Sequence, residues 1–196
     1  MLDAAAFALA TGRVFQRHWI VHYGKAGVQP RDGMRFVSKL LNLVSKQARR
    51  EGGEMTALWV RERASDYGEH MHILLHLPTD MRLHGRTRRW IEAALAHVGG
   101  VFRHDYARTR PRTTETGWVK GISMVRIVAG RLPKIGGNRQ RAHRENAANV
   151  VRYLLKSASA DTGASLELTR AGRGGRIIGK RCGWTENIGR NSRLRP

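Results

Sequence analysis

The segment His70-Met71-His72-Ile73-Leu74-Leu75-His76-Leu77-Pro78 combines metal-ligating side chains with the alternation of a strand. Alternate residues of an extended chain share a face, so His70 and His72 point one way while Met71, Ile73, Leu75 and Leu77 point the other. Two imidazoles then stand side by side on a rigid ribbon with a hydrophobic backing, which is what a divalent metal needs from two of its ligands. Upstream, Leu58, Val60 and Glu62 share one parity, and a hairpin turning between residues 63 and 70 sets the Glu62 carboxylate beside the pair. A lone strand histidine is usually an ordinary half-buried residue. Two at this spacing, with a carboxylate alongside, predict a metal set of His70, His72 and Glu62. His76 has the same parity, but its distance along the strand makes it a neighbour of the set.

A second chemical feature lies at Tyr153-Leu154-Leu155-Lys156. At about 100° per residue on a helix, Asn149, Tyr153 and Lys156 fall in one narrow arc, while Ala147, Ala148, Val150, Val151, Leu154 and Leu155 fill the apolar side. Tyr153 is thereby kept out of the core. A phenol can attack phosphorus as a nucleophile, and an ammonium one turn away can steady the phosphate or lower the phenol's pKa. Taken alone, the pair reads more commonly as a surface tyrosine on an amphipathic helix.

The elements that must position these groups are legible in the periodicity. Residues 1–14 hold a short Ala-rich helix, and residues 16–23 read as a strand in which Trp19, Val21 and Tyr23 alternate with His18, Ile20 and His22. Pro30 and Asp32 start a helix whose apolar positions Phe36, Val37, Leu40, Leu41 and Val44 run toward Gly52-Gly53. Strands over 56–63 and 70–77 flank a turn at 66–68 and predict a hairpin stopped by Pro78. A basic amphipathic helix is predicted over 82–98, then a short strand at Val101-Phe102, an arginine-rich loop over 103–112, and a strand over 118–128. A long loop over 130–143 leads to a helix over 145–159. This order predicts an α+β domain over 15–160, a central, mainly antiparallel sheet flanked by helices in a ferredoxin-like arrangement. Residues 161–196, rich in glycine and arginine, are expected to form a flexible basic arm.

Charge narrows the partner. The 196 residues carry 36 Lys+Arg against 15 Asp+Glu, a formal net charge of +21, which favours a polyanion, most often nucleic acid. Arginine outnumbers lysine, and guanidinium groups grip phosphate bidentately and stack on bases. Residues expected to contact nucleic acid are Arg86, Arg89, Arg108, Arg110, Arg112, Arg152, Arg173, Arg176 and Lys180. Cys182 is the sole cysteine and cannot form an internal disulfide, in keeping with a cytosolic or nucleoid setting. The early apolar run over 4–10 is too short to span a bilayer and follows Asp3, so neither a signal peptide nor a membrane span is expected. Gly174 to Lys180 fits the first seven positions of a phosphate-binding loop, but Arg181 stands where Ser or Thr should reach Mg²⁺. The segment is better suited to neutralising DNA phosphates than to holding a nucleotide.

Together, Glu62, His70-Met71-His72 and Tyr153-Leu154-Leu155-Lys156 resemble the pattern of the HUH endonucleases, in particular the single-tyrosine rolling-circle replication initiators. The resemblance spans residues 15–160, and the tyrosine follows the histidines, as in replication initiators and single-tyrosine transposases. It implies that His70, His72 and Glu62 hold Mg²⁺ or Mn²⁺, that Tyr153 attacks a single-stranded DNA phosphodiester to leave a 3′-hydroxyl and a 5′-phosphotyrosine, and that Lys156 helps electrostatically. Single-stranded DNA or an origin hairpin would be the substrate, a plasmid or phage the replicon, and a host helicase a partner in trans. No nucleotide cofactor is expected.

Two other classes compete. A noncatalytic module for single-stranded nucleic acid would use Trp19, Tyr23, Trp59 and Trp118 as stacking platforms, leaving the histidine pair and the Tyr/Lys helix without a purpose. A hydrolase of small phosphate esters fits less well, because His70, His72 and His76 lack the spacing of a histidine-triad enzyme.

Overall fold

The computed structural model describes residues 1–64, 68–83, 85–102, 117–119, 122–126, 139–155 and 175–194. In chain order these form α1 (Leu2–Ala10), β1 (Arg17–Val21), α2 (Gly33–Arg50), β2 (Thr56–Ala64), β3 (Gly68–His76), α3 (Arg86–Ala96), β4 (Gly117–Val119), β5 (Ile122–Arg126), α4 (Arg139–Leu154), β6 (Cys182–Trp184) and the single turn α5 (Arg190–Arg193). The strands make one six-stranded sheet in the order β4-β5-β1-β3-β2-β6, and every neighbouring pair is antiparallel. Its central order β5-β1-β3-β2, with α2 following β1 and α3 following β3, is two interlocked split βαβ units, the ferredoxin-like arrangement. The α+β class expected from the sequence is the one the chain adopts.

Strand alternation divides the core in two. Trp19 and Val21 of β1, Ala57 and Trp59 of β2, and Met71, Ile73 and Leu75 of β3 face α2 and α3. Helix α2 forms there because Phe36, Val37, Leu40, Val44 and Ala48 recur at helical spacing, and all five are buried. Pro30 and Asp32 lie in a tight 3-10 turn just before it, and the Asp32 carboxylate accepts from Arg35 at 3.0 Å. The chain leaves α2 through Gly52, whose φ of 76° is one that glycine adopts without strain. Trp90, Ile91, Ala94 and Leu95 seat α3 beside it, with the Trp90 ring stacked on Trp19 at 6.5 Å. Each large apolar side chain so buried contributes about 1.5–3 kcal/mol.

The opposite parity builds the second face. Leu58, Val60 and Leu74 pack under Ala4, Ala5 and Ala8 of α1, Val151 and Leu154 of α4, and Ile188. Helices therefore cover both sides of the sheet. Among the described residues no helix is long and apolar enough to cross a membrane.

A buried polar cluster ties the first face to the C-terminal segment. Arg61 is fully buried, pairs with Glu69 at 2.8 Å, and donates from Nε to the Tyr23 hydroxyl at 2.8 Å. Tyr23 in turn donates to Glu69 at 2.8 Å. The same guanidinium donates to the carbonyls of Ile178, at 2.9 Å, and Lys180, at 3.1 Å. A side chain at position 33 would collide with it, which explains glycine as the first residue of α2. Burial pushes the Tyr23 phenol well above its usual range, against an opposing pull from Arg61.

The structure departs from the sequence expectations at several places, the strand expected over 16–23 ending at Val21 and the helix expected over 82–98 running from Arg86 to Ala96. Helix α4 begins at Arg139, so residues 139–143 are helical rather than loop. Val101 and Phe102 belong to no strand. The single strand expected over 118–128 is a pair, β4 and β5, whose register sets Val119 opposite Ile122. Residues 175–194 do not hang free, because β6 pairs with β2 and Arg61 holds the chain just before it. The arginine-rich loop expected over 103–112 and the residues 161–174 lie outside the described residues.

Candidate metal and nucleophile site

The β2–β3 register puts Glu62 opposite His70 and Val60 opposite His72, so one carboxylate and two imidazoles meet on the second face of the sheet. Glu62, His70 and His72 are 6%, 8% and 3% exposed, and their ligand atoms lie within 4.8 Å of one another. His70 Nε2 and His72 Nε2 stand 3.6 and 3.7 Å from the same oxygen, Glu62 Oε2. Those gaps are longer than hydrogen bonds and shorter than twice an ordinary metal–ligand distance of about 2.1 Å. One divalent ion between the groups could touch both sides. This buried Glu/His/His cluster could hold a metal ion, as the sequence predicts.

The other ring nitrogens point away. His70 Nδ1 donates to the Gly68 carbonyl at 3.3 Å, and His72 Nδ1 shares a hydrogen bond with His18 Nε2 at 3.1 Å. Both Nε2 atoms are left facing Glu62. His18 on β1 and His22, the residue just past its end, stack on His72 and His70 with centroids 5.3 and 5.2 Å apart. Burial, and then the charges of His70, Lys25 and His72, lower the His22 pKa to about 4. His22 is accordingly neutral near pH 7 and adds no repulsion toward a cation.

Helix α4 brings the phenol. Val151 and Leu154 are buried in the second core, and this anchorage holds Tyr153 at the rim, 47% exposed, with its ring edge-on to His72 at 5.9 Å and 80°. Arg152 is exposed beside it and donates to Asn149 at 3.5 Å. Lys156 lies outside the described residues, as do Arg108, Arg110, Arg112 and Arg173.

The remaining expected nucleic-acid contacts divide by face. Arg86 and Arg89 sit on α3, across the sheet from the histidines, and Arg86 is paired with Glu51. The fold does not bring them to the cluster. Arg176 and Lys180 are exposed on the segment before β6. Lys180 Nζ lies 5.8 Å from the Trp59 ring and 5.9 Å from that of Trp184, and Arg193 lies 6.0 Å from Trp184. Trp184, 36% exposed, forms an aromatic and cationic rim. His76 is a neighbour only, its Nδ1 lying 2.9 Å from the Val14 carbonyl and 3.1 Å from the Gln16 amide.

Sequence reasoning missed His18 and His22. Their shared parity in the strand expected over 16–23 was visible, but not that β1 lies beside β3. No protein-family model, curated protein or solved structure matches the chain.

Proposed function

We propose that the chain is a metal-dependent endonuclease and strand transferase for single-stranded DNA, of the HUH type with a single tyrosine nucleophile, that initiates rolling-circle replication of a plasmid or phage. The observation that carries this reading is the meeting of Tyr153 with His72, itself a member of the buried donor set. A phenol and such a set can work on one phosphate only as neighbours, and here they come from three separate elements, β2, β3 and α4.

In the proposed reaction the Tyr153 hydroxyl oxygen attacks the scissile phosphorus. The bond from phosphorus to the tyrosine oxygen forms as the bond to the 3′-oxygen breaks, and the phenolic proton passes through solvent to that oxygen. The products are a 3′-hydroxyl and a 5′-phosphotyrosine, and attack by a 3′-hydroxyl reverses the step and rejoins the ends. Mg²⁺ or Mn²⁺ held by Glu62, His70 and His72 would offset charge on the phosphate oxygens. The β2–β3 hairpin keeps the three donors at fixed separation, and the exposure of Tyr153 leaves room for a strand to reach it. Lys156, three residues further along the sequence, is assigned the role of electrostatic helper.

The strand would be gripped by Arg152, Arg176 and Lys180, with a host helicase in trans opening the duplex in the bacterial cytosol or nucleoid. A single-tyrosine transposase would use the same residues. The rim of Trp184, Lys180 and Arg193 favours a second reading, a noncatalytic binder of single strands, which needs no nucleophile. Incubation with labelled oligonucleotides bearing candidate origin hairpins, in Mn²⁺, distinguishes them. A denaturant-resistant adduct whose mass maps to Tyr153 is the expected outcome. Absence of any adduct across the panel leaves only the binder.

A further inference from the structure

We infer that His18 is the positioning residue for His72, the acceptor that fixes which nitrogen of that ring faces the metal; the inference rests on the metal reading of Glu62, His70 and His72.

The two candidate imidazole ligands are oriented by different means. His70 Nδ1 lies against a backbone carbonyl, that of Gly68, at 3.3 Å. A carbonyl only accepts, so His70 is obliged to carry its proton on Nδ1 and keep Nε2 open, whatever the sequence. The Nδ1 of His72 faces a side chain instead, His18 Nε2 at 3.1 Å, with the rings stacked at 26°. A hydrogen bond between two ring nitrogens needs one donor and one acceptor. If His18 donated, neutral His72 would carry its proton on Nε2 and close the position that faces Glu62 Oε2 at 3.7 Å. If His18 accepts, His72 Nε2 keeps its lone pair for a cation. Ligation and acceptance by His18 are therefore the same proton arrangement, and His18 must then bear its own proton on Nδ1.

The packing makes this arrangement durable. His18 and His72 are both buried, so water does not readily replace the acceptor. His18 stands opposite Leu74 in the β1–β3 register, diagonal to His72, a separation that a ring can bridge and a short polar side chain does not. Hydrogen bonds of this kind orient metal-bound histidines and raise their basicity, and their loss typically weakens metal affinity by about 10- to 100-fold.

The test compares His18→Phe, which keeps a stacked ring but has no acceptor, with His18→Gln, whose amide oxygen can accept, and with Glu62→Gln. Mn²⁺ affinity is read by titration calorimetry after circular dichroism and a thermal melt establish folding. The expected result is a loss of roughly 10- to 100-fold in His18→Phe and recovery of most of it in His18→Gln. In nicking assays the Mn²⁺ concentration for half-maximal rate should rise by the same factor, while the rate at saturating Mn²⁺ recovers. Nitrogen NMR of the wild-type protein loaded with diamagnetic Zn²⁺ should show His18 protonated at Nδ1. Binding that Glu62→Gln abolishes but His18→Phe leaves unchanged, or a His18 protonated at Nε2 in the loaded protein, overturns the positioning role alone. No Mn²⁺ or Zn²⁺ binding by the wild type overturns the metal reading and the inference together.

Discussion

Tyr153 meets the ring of His72 edge-on, with centroids 5.9 Å apart, although the two residues lie on α4 and β3, elements far apart in the sequence. The contact forms because Val151 and Leu154 enter the second core beside Leu74, two residues along β3 from His72. The anchoring residues are apolar and buried, and the phenol they hold is half exposed. Substitutions should accordingly separate chemistry from folding.

Tyr153→Phe should eliminate the covalent DNA adduct while retaining single-strand binding. Loss of a half-exposed hydroxyl should change stability by no more than about 0.5 kcal/mol. A denaturing gel, fluorescence anisotropy and urea unfolding check the three parts, and residual adduct formation would assign the nucleophile elsewhere.

Metal should stabilise the fold through the cluster. At an ion concentration 100 times its dissociation constant the gain is about 2.7 kcal/mol, or about 5–10 °C in Tm for a chain of this size. Glu62→Gln removes the carboxylate charge shared by both imidazoles and should abolish this rise. Calorimetric melts with and without Mn²⁺ measure it, and an undiminished rise would place the ion elsewhere.

The Arg61–Glu69 pair should be a weak point under single substitution. Arg61→Met leaves a buried carboxylate unpaired and should destabilise by about 3–5 kcal/mol, and the double variant with Glu69→Leu by less than the sum of the singles. Because Arg61 also holds the carbonyls of Ile178 and Lys180, Arg61→Met should hasten proteolysis near residues 175–181. Equal cleavage in both proteins would show the segment held by β6 pairing alone.

Tyr23 makes stability sensitive to alkali. Its folded pKa is raised and its unfolded pKa is about 10, so the neutral phenol's contribution is intact below pH 10. Above pH 10 the unfolded chain releases that proton first, and stability falls as pH rises further. Urea unfolding at pH 9 and pH 11 should show a smaller loss for Tyr23→Phe than for the wild type; identical losses would exclude this phenol as the cause.

Trp184 should contribute to strand binding. Trp184→Ala is expected to weaken the affinity for an oligonucleotide by about 1–3 kcal/mol, and binding overall should fall steeply with added salt. Anisotropy titrations over a salt series test both, and salt-insensitive binding would count against the charge argument.

Much of the site was legible because it is local. The spacing of His70 and His72, the parity of Glu62 and a hairpin too short to permit many registers define the donor set within a stretch of fewer than twenty residues. Helical periodicity likewise predicted α2 and kept Tyr153 off the apolar side of its helix. Composition made a polyanionic partner the expectation, but residue type could not tell a cation at the site from one elsewhere. Arg61 is locked inside the fold, and Arg86 is spent on Glu51.

The sequence by itself determined the strand faces, the helices and the chemistry available to them, since these follow from side-chain alternation along a few turns or a few strand residues. Tertiary structure alone decided that β1 lies beside β3, which brings His18 and His22 onto the histidine pair, and that α4 lays Tyr153 against His72. The same is true of residues 182–184, which join the sheet at β2 instead of trailing as an arm. The physical reason is that pairing between distant strands and docking of a helix are chosen by which apolar surfaces fit together after collapse, a property of the assembled core and not of any one segment.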